Sequence, residues 1–314
     1  MNNLKHIFGP VPSRRLGISL GIDLVPHKVC TLNCVYCEVG ATTKLTIDRD
    51  EYVSYKDVLN EIELKLSDLP KLDYITFSGA GEPTLNSRIG DIINYIKNNY
   101  PQYKLALLTN GTLFYDKEVR SDCLKSDLII PSLDAVTDRT FRLINRPYHS
   151  LKNEKIIDGL VKLRSEFKNQ IWLEVFIIPG MNDNEEELNL LKKNIMNIQP
   201  DKVQLNSLDR PGVEEWVQSV DAVKMEEIKN KLKPLPVEII FRNKNSKRNT
   251  AYQKEKESLI ISTIRRRPCS LNDLRSITGL KINEINKYLK PLMNNNTVLT
   301  KRINNELFYS AVIK

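Results

Sequence analysis

Three of the five cysteines stand within eight residues, as Cys30, Cys34 and Cys37, at the spacing C-x3-C-x2-C. Thiolates bind soft iron, and three of them can hold a cluster of four irons by three of its corners. The fourth iron would then lack a protein ligand and could bind a small molecule. Because His27 lies three residues before Cys30, a zinc site of the Cys3His type is the alternative interpretation.

The segment 30–37, which carries the three cysteines, is called here the cysteine loop. The elements that position it can be predicted from the pattern of apolar residues. Six short β-prone segments alternate with segments of helical periodicity, which predicts successive βα units and a parallel sheet. In such folds the functional residues lie at the carboxyl ends of the strands. The cysteines and the motifs GAGEP (79–83), TNG (109–111) and SLD (132–134) each follow a strand, so we expect one common site. The predicted strands are 18–24, 73–78, 104–108, 128–133, 171–178 and 203–206.

The cysteine spacing, with Tyr36 before the third cysteine, resembles the signature of the radical S-adenosylmethionine (radical SAM) superfamily. GAGEP resembles the Gly-Gly-Glu-Pro motif of that family, with Ala80 in place of its first glycine. The segment 8–24 is similar to a subgroup related to the wyosine-forming tRNA enzymes. The resemblance implies an α/β fold, a partial (βα)6 TIM-type barrel. It also implies a [4Fe-4S] cluster on Cys30, Cys34 and Cys37 and a SAM molecule chelated by the open iron.

The chemistry that the resemblance implies is cleavage of SAM to a 5′-deoxyadenosyl radical, which abstracts hydrogen from a substrate. Reduced ferredoxin or flavodoxin would supply the electron. The resemblance names no catalytic residue beyond the cofactor ligands. Helix capping is the alternative role for the Ser, Thr, Asn and Asp residues among the expected SAM contacts. Those contacts are Tyr36, Gly79, Gly81, Glu82, Thr109, Asn110, Ser132 and Asp134.

The cysteine count limits the number of clusters. The wyosine-forming enzymes use a second cluster held by cysteines upstream of the motif, yet no cysteine precedes Cys30 here. The two remaining cysteines, Cys123 and Cys269, cannot supply three thiolates for another [4Fe-4S] site. The sequence therefore predicts an enzyme with a single cluster.

Composition and charge separate the chain into a core and a basic end. Hydrophobic residues make up 41% and charged residues 27% of the 314 residues, values typical of a globular protein. The chain has no apolar run of membrane-spanning length and no apolar signal region, which predicts a cytoplasmic protein without membrane contact. Residues 1–241 contain 31 basic and 34 acidic residues, whereas 242–314 contain 16 and 5. Such a basic end suggests contact with nucleic acid.

Three domains follow from these patterns: a core barrel at 1–241, a basic linker at 242–254 and a small domain at 255–314. Three helical segments followed by a hairpin predict a winged helix-turn-helix in the small domain. The function that we expect is radical SAM chemistry on an unidentified substrate, with RNA favoured by the basic charge. The alternatives are a peptide or protein substrate, and a transcriptional regulator that carries a metal cluster but catalyses nothing. Lys281, Lys287, Lys290, Lys301 and Arg302 are the expected phosphate contacts, and 13–15 (Ser-Arg-Arg) could bind an anionic group.

Overall fold

The computed structural model describes residues 4–13, 15–240, 256–280, 282–304 and 306–312. The predicted linker at 242–254 and Lys281 lie outside these described residues. The side chain of Lys287 also lies outside them. None of the helices in the described part of the chain is long and apolar enough to cross a membrane.

One eight-stranded sheet forms the centre of the molecule, in the strand order β1-β2-β5-β6-β7-β8-β9-β10. β2 and β5 to β10 run parallel, and β1 pairs antiparallel with β2 at one edge. No pairing between β1 and β10 is present in the described residues, so the sheet is an open, partial barrel. The strands are β1 (Ile7–Ser13), β2 (Gly17–Ile22), β3 (Val29–Cys30), β4 (Lys44–Leu45), β5 (Tyr74–Phe77), β6 (Lys104–Thr109), β7 (Leu128–Pro131), β8 (Gln170–Phe176), β9 (Lys202–Asn206) and β10 (Val237–Ile239).

Helices connect the parallel strands, as βα units require. They are α1 (Tyr55–Leu66), α2 (Ile89–Asn99), α3 (Lys117–Cys123), α4 (Asp138–Ile144), α5 (Asn153–Glu166), α6 (Glu185–Ile198) and α7 (Ala222–Lys231). Several begin at a residue whose side chain accepts a hydrogen bond from a backbone N–H of the first turn, which fixes the start of the helix. These capping residues are Ser54, Asp116, Thr137, Asn184 and Asp221.

The predicted fold class is confirmed, since all six expected strands are present and parallel. Two strands of the eight-stranded sheet were not predicted. Residues 7–13 contain Gly9, Pro10 and Pro12, which are typical of irregular structure, yet they form β1. Proline is tolerated there because an edge strand needs hydrogen bonds on one side only. β10 adds a seventh parallel strand beyond the six expected.

The two faces of the sheet differ in polarity because side chains alternate along each strand. Leu20, Ile22 and Phe77 are fully buried in the apolar core beneath the helices. On the opposite face, called here the inner face, the hydroxyls of Ser19 and Thr76 form a hydrogen bond of 2.9 Å. The inner face of a partial barrel is therefore polar at this point and suited to a hydrated or polar ligand.

The C-terminal segment forms a separate small core. It contains α8 (Lys256–Arg266), β11 (Cys269–Ser270), α9 (Leu271–Thr278), α10 (Ile282–Asn294), β12 (Val298–Ile303) and β13 (Glu306–Ala311). Ile260, Ile264 and Leu289 pack together at its centre. α9 begins with a capping box and ends at Gly279, whose φ is +68°. The order of helices and hairpin is the one expected from the sequence, while assignment to the winged helix-turn-helix class stays a prediction.

Candidate functional site

The cysteine loop follows β2 and is held against the segment after α4. The N–H of Asn33 donates to the carbonyl of Asn145 (3.0 Å), and the N–H of Val35 donates to the carbonyl of Ile144 (2.9 Å). These bonds fix the loop backbone over the carboxyl ends of the strands. The position agrees with the one expected for a site at the end of the first parallel strand.

Each cysteine sulfur of the loop accepts a hydrogen bond from a nitrogen. Lys28 Nζ lies 3.0 Å from Cys37 Sγ, Asn110 Nδ2 lies 3.5 Å from Cys30 Sγ, and Asn145 Nδ2 lies 3.4 Å from Cys34 Sγ. Burial raises the pKa of Cys30 to about 11 and the pKa of Cys34 further. The charge of Lys28 opposes the rise in the pKa of Cys30, and the hydrogen bond from Asn145 opposes the rise in the pKa of Cys34, because each stabilises the thiolate form.

The geometry of the loop bears on the choice between a cluster and zinc. Across the described ranges, no three His, Cys, Asp or Glu side chains converge closely enough to hold a single metal ion. Three soft thiolates with N–H donors directed at their sulfurs fit an iron–sulfur cluster, whose charge such donors stabilise.

Lys28 is the unusual member of this set, because its side chain is buried and cationic. Only 4% of its surface is exposed, and its backbone has a φ of +56°. Burial lowers the pKa of Lys28, but the neighbouring thiolates of Cys37, Cys30 and Cys34 outweigh burial and raise it. The ammonium is therefore held in its charged form by the sulfurs.

The GAGEP loop is attached to the cysteine loop through backbone hydrogen bonds. Lys28 N–H donates to the carbonyl of Ala80 (2.5 Å), and Glu82 N–H donates to the carbonyl of Val29 (3.0 Å). A Cβ added to Gly81 would collide with the carbonyl oxygen of Val29. Gly79 has a φ of +107°, in the left-handed region that favours glycine. Gly81 is thus required by the close approach of the two loops, and Gly79 is required by its backbone conformation.

Glu82 connects the ends of β5 and β6. It is 1% exposed, and it accepts hydrogen bonds from Thr109 Oγ1 (2.6 Å), Thr84 Oγ1 (2.6 Å) and Asn110 N–H (2.7 Å). Burial raises the pKa of Glu82, and these hydrogen bonds oppose the rise. The carboxylate thus holds the loops of the site together, while contact of Glu82 and Thr109 with SAM stays a prediction.

Asp134 holds a second part of the site. It is 3% exposed and accepts hydrogen bonds from Tyr36 Oη (2.5 Å), Asn145 Nδ2 (2.7 Å) and Phe176 N–H (2.9 Å). Burial raises its pKa to about 6, against the effect of these hydrogen bonds. The ring of Tyr36 stacks on Phe176 with centroids 3.9 Å apart. Asp134 therefore positions Tyr36, which belongs to the cysteine loop, and Asn145, which donates to Cys34 Sγ.

Three of the expected contacts, Asn110, Ser132 and Asp134, lie together in the fold. They line a small cleft at the ends of β6 and β7 together with Thr112 and Asn145. The hydroxyl of Ser132 has no hydrogen-bond partner within the part of the chain that the structure describes. Contact of Ser132 with SAM stays a prediction.

The sequence analysis did not identify Lys28 and Asn145 as members of the site. The position of Lys28, two residues before Cys30, was a usable signal, because a cation beside thiolates is an expected partner. Asn145 had no such signal, since the fold brings it to Cys34 from 111 positions away in sequence.

A family model described as the radical SAM superfamily matches residues 24–191. The chain belongs to this superfamily, whose cofactors are a [4Fe-4S] cluster and SAM, and it is an enzyme.

Two curated proteins illustrate how far the similarity extends. A protein of the UPF0026 family from Helicobacter pylori (strain J99) is 33% identical, and the match covers 98% of both chains. A protein named GTPase Obg from Brachyspira hyodysenteriae is 35% identical over 98% of this chain, which spans 45% of that longer protein. The solved structure of TYW1 with a lysine–pyruvate adduct has a TM-score of 0.50 and 18% identity, covering 72% of this chain and 75% of the other. At that identity the likeness concerns the fold.

Proposed function

We propose that Cys30, Cys34 and Cys37 hold one [4Fe-4S] cluster and that the enzyme uses it to cleave SAM reductively. The observation that supports this proposal is the hydrogen bond that each of the three sulfurs accepts at the carboxyl end of the sheet. When reduced, this group supplies the electron that converts SAM into methionine and a 5′-deoxyadenosyl radical, which abstracts hydrogen from the substrate.

The number of clusters follows from the other two cysteines. Cys123 lies at the end of α3 and is fully buried in the main apolar core, and burial raises its pKa. Cys269 is fully buried in the small C-terminal core. Neither thiol is placed as an accessible ligand for iron, which supports a single cluster.

The protein's own residues have separable roles under this proposal. Lys28, Asn110 and Asn145 stabilise negative charge on the sulfurs and fix their orientation. Glu82 acts as a positioning residue, because it ties the loop after β5 to the loop after β6. The contacts of Ser132 and Asn110 with SAM that the resemblance implies are also part of the proposal.

The electron donor that we propose is reduced ferredoxin or flavodoxin. The proposed domain organisation is a catalytic barrel at 1–241, a linker at 242–254 and a winged-helix domain at 255–314. Lys290 and Arg302 are exposed in the C-terminal segment, which supports nucleic acid as a candidate partner. A peptide or protein substrate is the other candidate. Membership of an enzyme superfamily gives no support to the regulator without catalysis.

The proposal can be tested by reconstituting the full chain anaerobically with iron and sulfide. Cys34→Ala removes one proposed ligand, and Cys123→Ala is the matched control because that thiol lies in the apolar core. We expect about four irons per chain in the wild type and the control, and a much lower content in Cys34→Ala. We also expect an electron paramagnetic resonance signal in the dithionite-reduced protein that changes on addition of SAM. Equal iron content in both variants, or one bound zinc and no cluster, would contradict the proposal.

A further inference from the structure

A cavity of about 270 Å³ lies on the inner face of the sheet, next to the cysteine loop. Ser19, Thr76 and Leu108 form its floor on β2, β5 and β6. Glu38, just after Cys37, and Gly79 of the GAGEP loop form one end. One wall comes from β1, and another comes from the C-terminal segment, through Ser262, Thr263, Arg266 and Arg267.

A buried ion pair connects α8 to Asp23, a residue that also binds the GAGEP loop. Arg266 pairs with Asp23, and the other oxygen of Asp23 accepts a hydrogen bond from the N–H of Ala80 (3.2 Å). The guanidinium of Arg266 also lies 3.6 Å from the ring centroid of Phe8 in β1. The position of α8 is therefore coupled, through Asp23, to the position of the GAGEP loop.

A second ion network attaches the C-terminal segment to the cysteine loop itself. Arg210, only 3% exposed, bonds Glu38 Oε2 at 3.1 Å and Asp273 Oδ1 of α9 at 3.2 Å. A buried arginine between two carboxylates holds its partners strongly, because removal of any one leaves uncompensated buried charge. The C-terminal segment is thus a built part of the cavity wall.

Cationic side chains outnumber carboxylates in the lining of this cavity. Arg15, Arg266 and Arg267 line it, whereas Glu38 is the single carboxylate among the described lining residues. Asp23 and Glu174, which pair with Arg266 and Arg15, do not line it.

These pairs leave donors for a ligand. The side-chain hydrogen bonds of Arg15 to described residues leave from Nη1, and so does that of Arg266. A guanidinium has five N–H groups, so each of the two retains donors for a further acceptor.

We propose, resting on the function proposed above, that this cavity binds the substrate and selects a small molecule with a carboxylate or phosphate group. Arg15 and Arg266 are the specificity-determining residues, because a guanidinium can donate two parallel N–H bonds to a carboxylate or a phosphate. The volume of about 270 Å³ is close to the lower end of the range for small-molecule sites, roughly 300 Å³. A folded macromolecule would have to displace α8 to reach it.

The test uses the reconstituted full chain and isothermal titration with inorganic phosphate and with malonate, and with glycerol as a neutral probe. Arg15→Met/Glu174→Gln and Arg266→Met/Asp23→Asn each remove a pair, so that the net charge is kept and no buried carboxylate is left alone. Arg275→Met is the matched control, since Arg275 is exposed on α9 outside the cavity. We expect saturable binding of at least one anion, weakened roughly tenfold or more in each double variant and unchanged in the control.

Several results would overturn this inference. One is the absence of saturable binding of both anions, and another is equal weakening in the Arg275→Met control. Competitive displacement of the anion by SAM would assign the cavity to SAM instead of the substrate. Tight binding of a short RNA that survives both double variants, without binding of either anion, would point to a macromolecular substrate outside the cavity. Iron content and SAM cleavage are measured on the same samples, so loss of anion binding alone leaves the proposed function intact.

Discussion

Lys28 provides a quantitative test of how the protein tunes its cluster. Its ammonium is buried and lies 3.0 Å from Cys37 Sγ. A positive charge beside a sulfur ligand favours the reduced, more negative state of the cluster. Substitution Lys28→Met keeps an unbranched apolar chain of similar length and removes the positive charge. We therefore expect the reduction potential of the cluster to fall.

The size of the fall can be estimated from the observed distance. For two unit charges 3.0 Å apart at an effective dielectric constant of about 20, Coulomb's law gives about 5.5 kcal/mol. The added electron is shared over the cluster, and about a quarter of it on this sulfur corresponds to about 1.4 kcal/mol. For a one-electron couple this energy equals a shift of about 60 mV to lower potential.

The measurement is an anaerobic redox titration of the reconstituted protein, followed by the electron paramagnetic resonance signal of the reduced cluster. Lys44→Met is the control, because Lys44 is an exposed lysine of β4, over the ring of Tyr52. We expect its potential to match the wild type. An unchanged or higher potential in Lys28→Met, with full iron content, would refute the electrostatic role of Lys28.

Three further predictions concern the loops of the site. Glu82→Gln replaces a buried acceptor of several hydrogen bonds by an amide, and chemical denaturation should show a loss of about 1–3 kcal/mol in the free energy of unfolding; no loss would contradict its positioning role. Gly81→Ala should lower iron retention after gel filtration, because its Cβ collides with the cysteine loop, and full retention of iron would contradict this. Asp134 has its pKa raised from 3.8 to about 6, so the folded state binds the proton more tightly than the unfolded state. Its contribution to stability should therefore fall by about 2 kcal/mol as pH rises from 4 to 6, and parallel pH curves for the wild type and Asp134→Asn would contradict this.

The order of strands and helices was predictable because it follows from local patterns. Period-two and helical spacing mark where a strand or helix lies, and the motifs mark where each strand ends. β1 escaped prediction because Gly9, Pro10 and Pro12 signal irregular structure, and only its position at the sheet edge makes a strand compatible with them.

The contacts within the site were less predictable, because many depend on residues that are distant in sequence. Glu82 and Asp134 were expected beside the ligand, yet in the structure each also holds protein groups in place. The bond between Arg266 and Asp23 joins residues 243 positions apart, and no local pattern reports such a pairing. The basic C-terminal segment therefore suggested an external polyanion, whereas Arg266 also pairs with a carboxylate of the barrel.

The measurement that tests the central claim most directly is the detection of 5′-deoxyadenosine by mass spectrometry. The reconstituted protein is reduced with dithionite and incubated with SAM, alongside the Cys34→Ala variant. Reductive cleavage of SAM by a cluster on the three cysteines predicts 5′-deoxyadenosine from the wild type and none from the variant. Equal product from both, or none from a wild type that carries a full, reduced cluster, would contradict it.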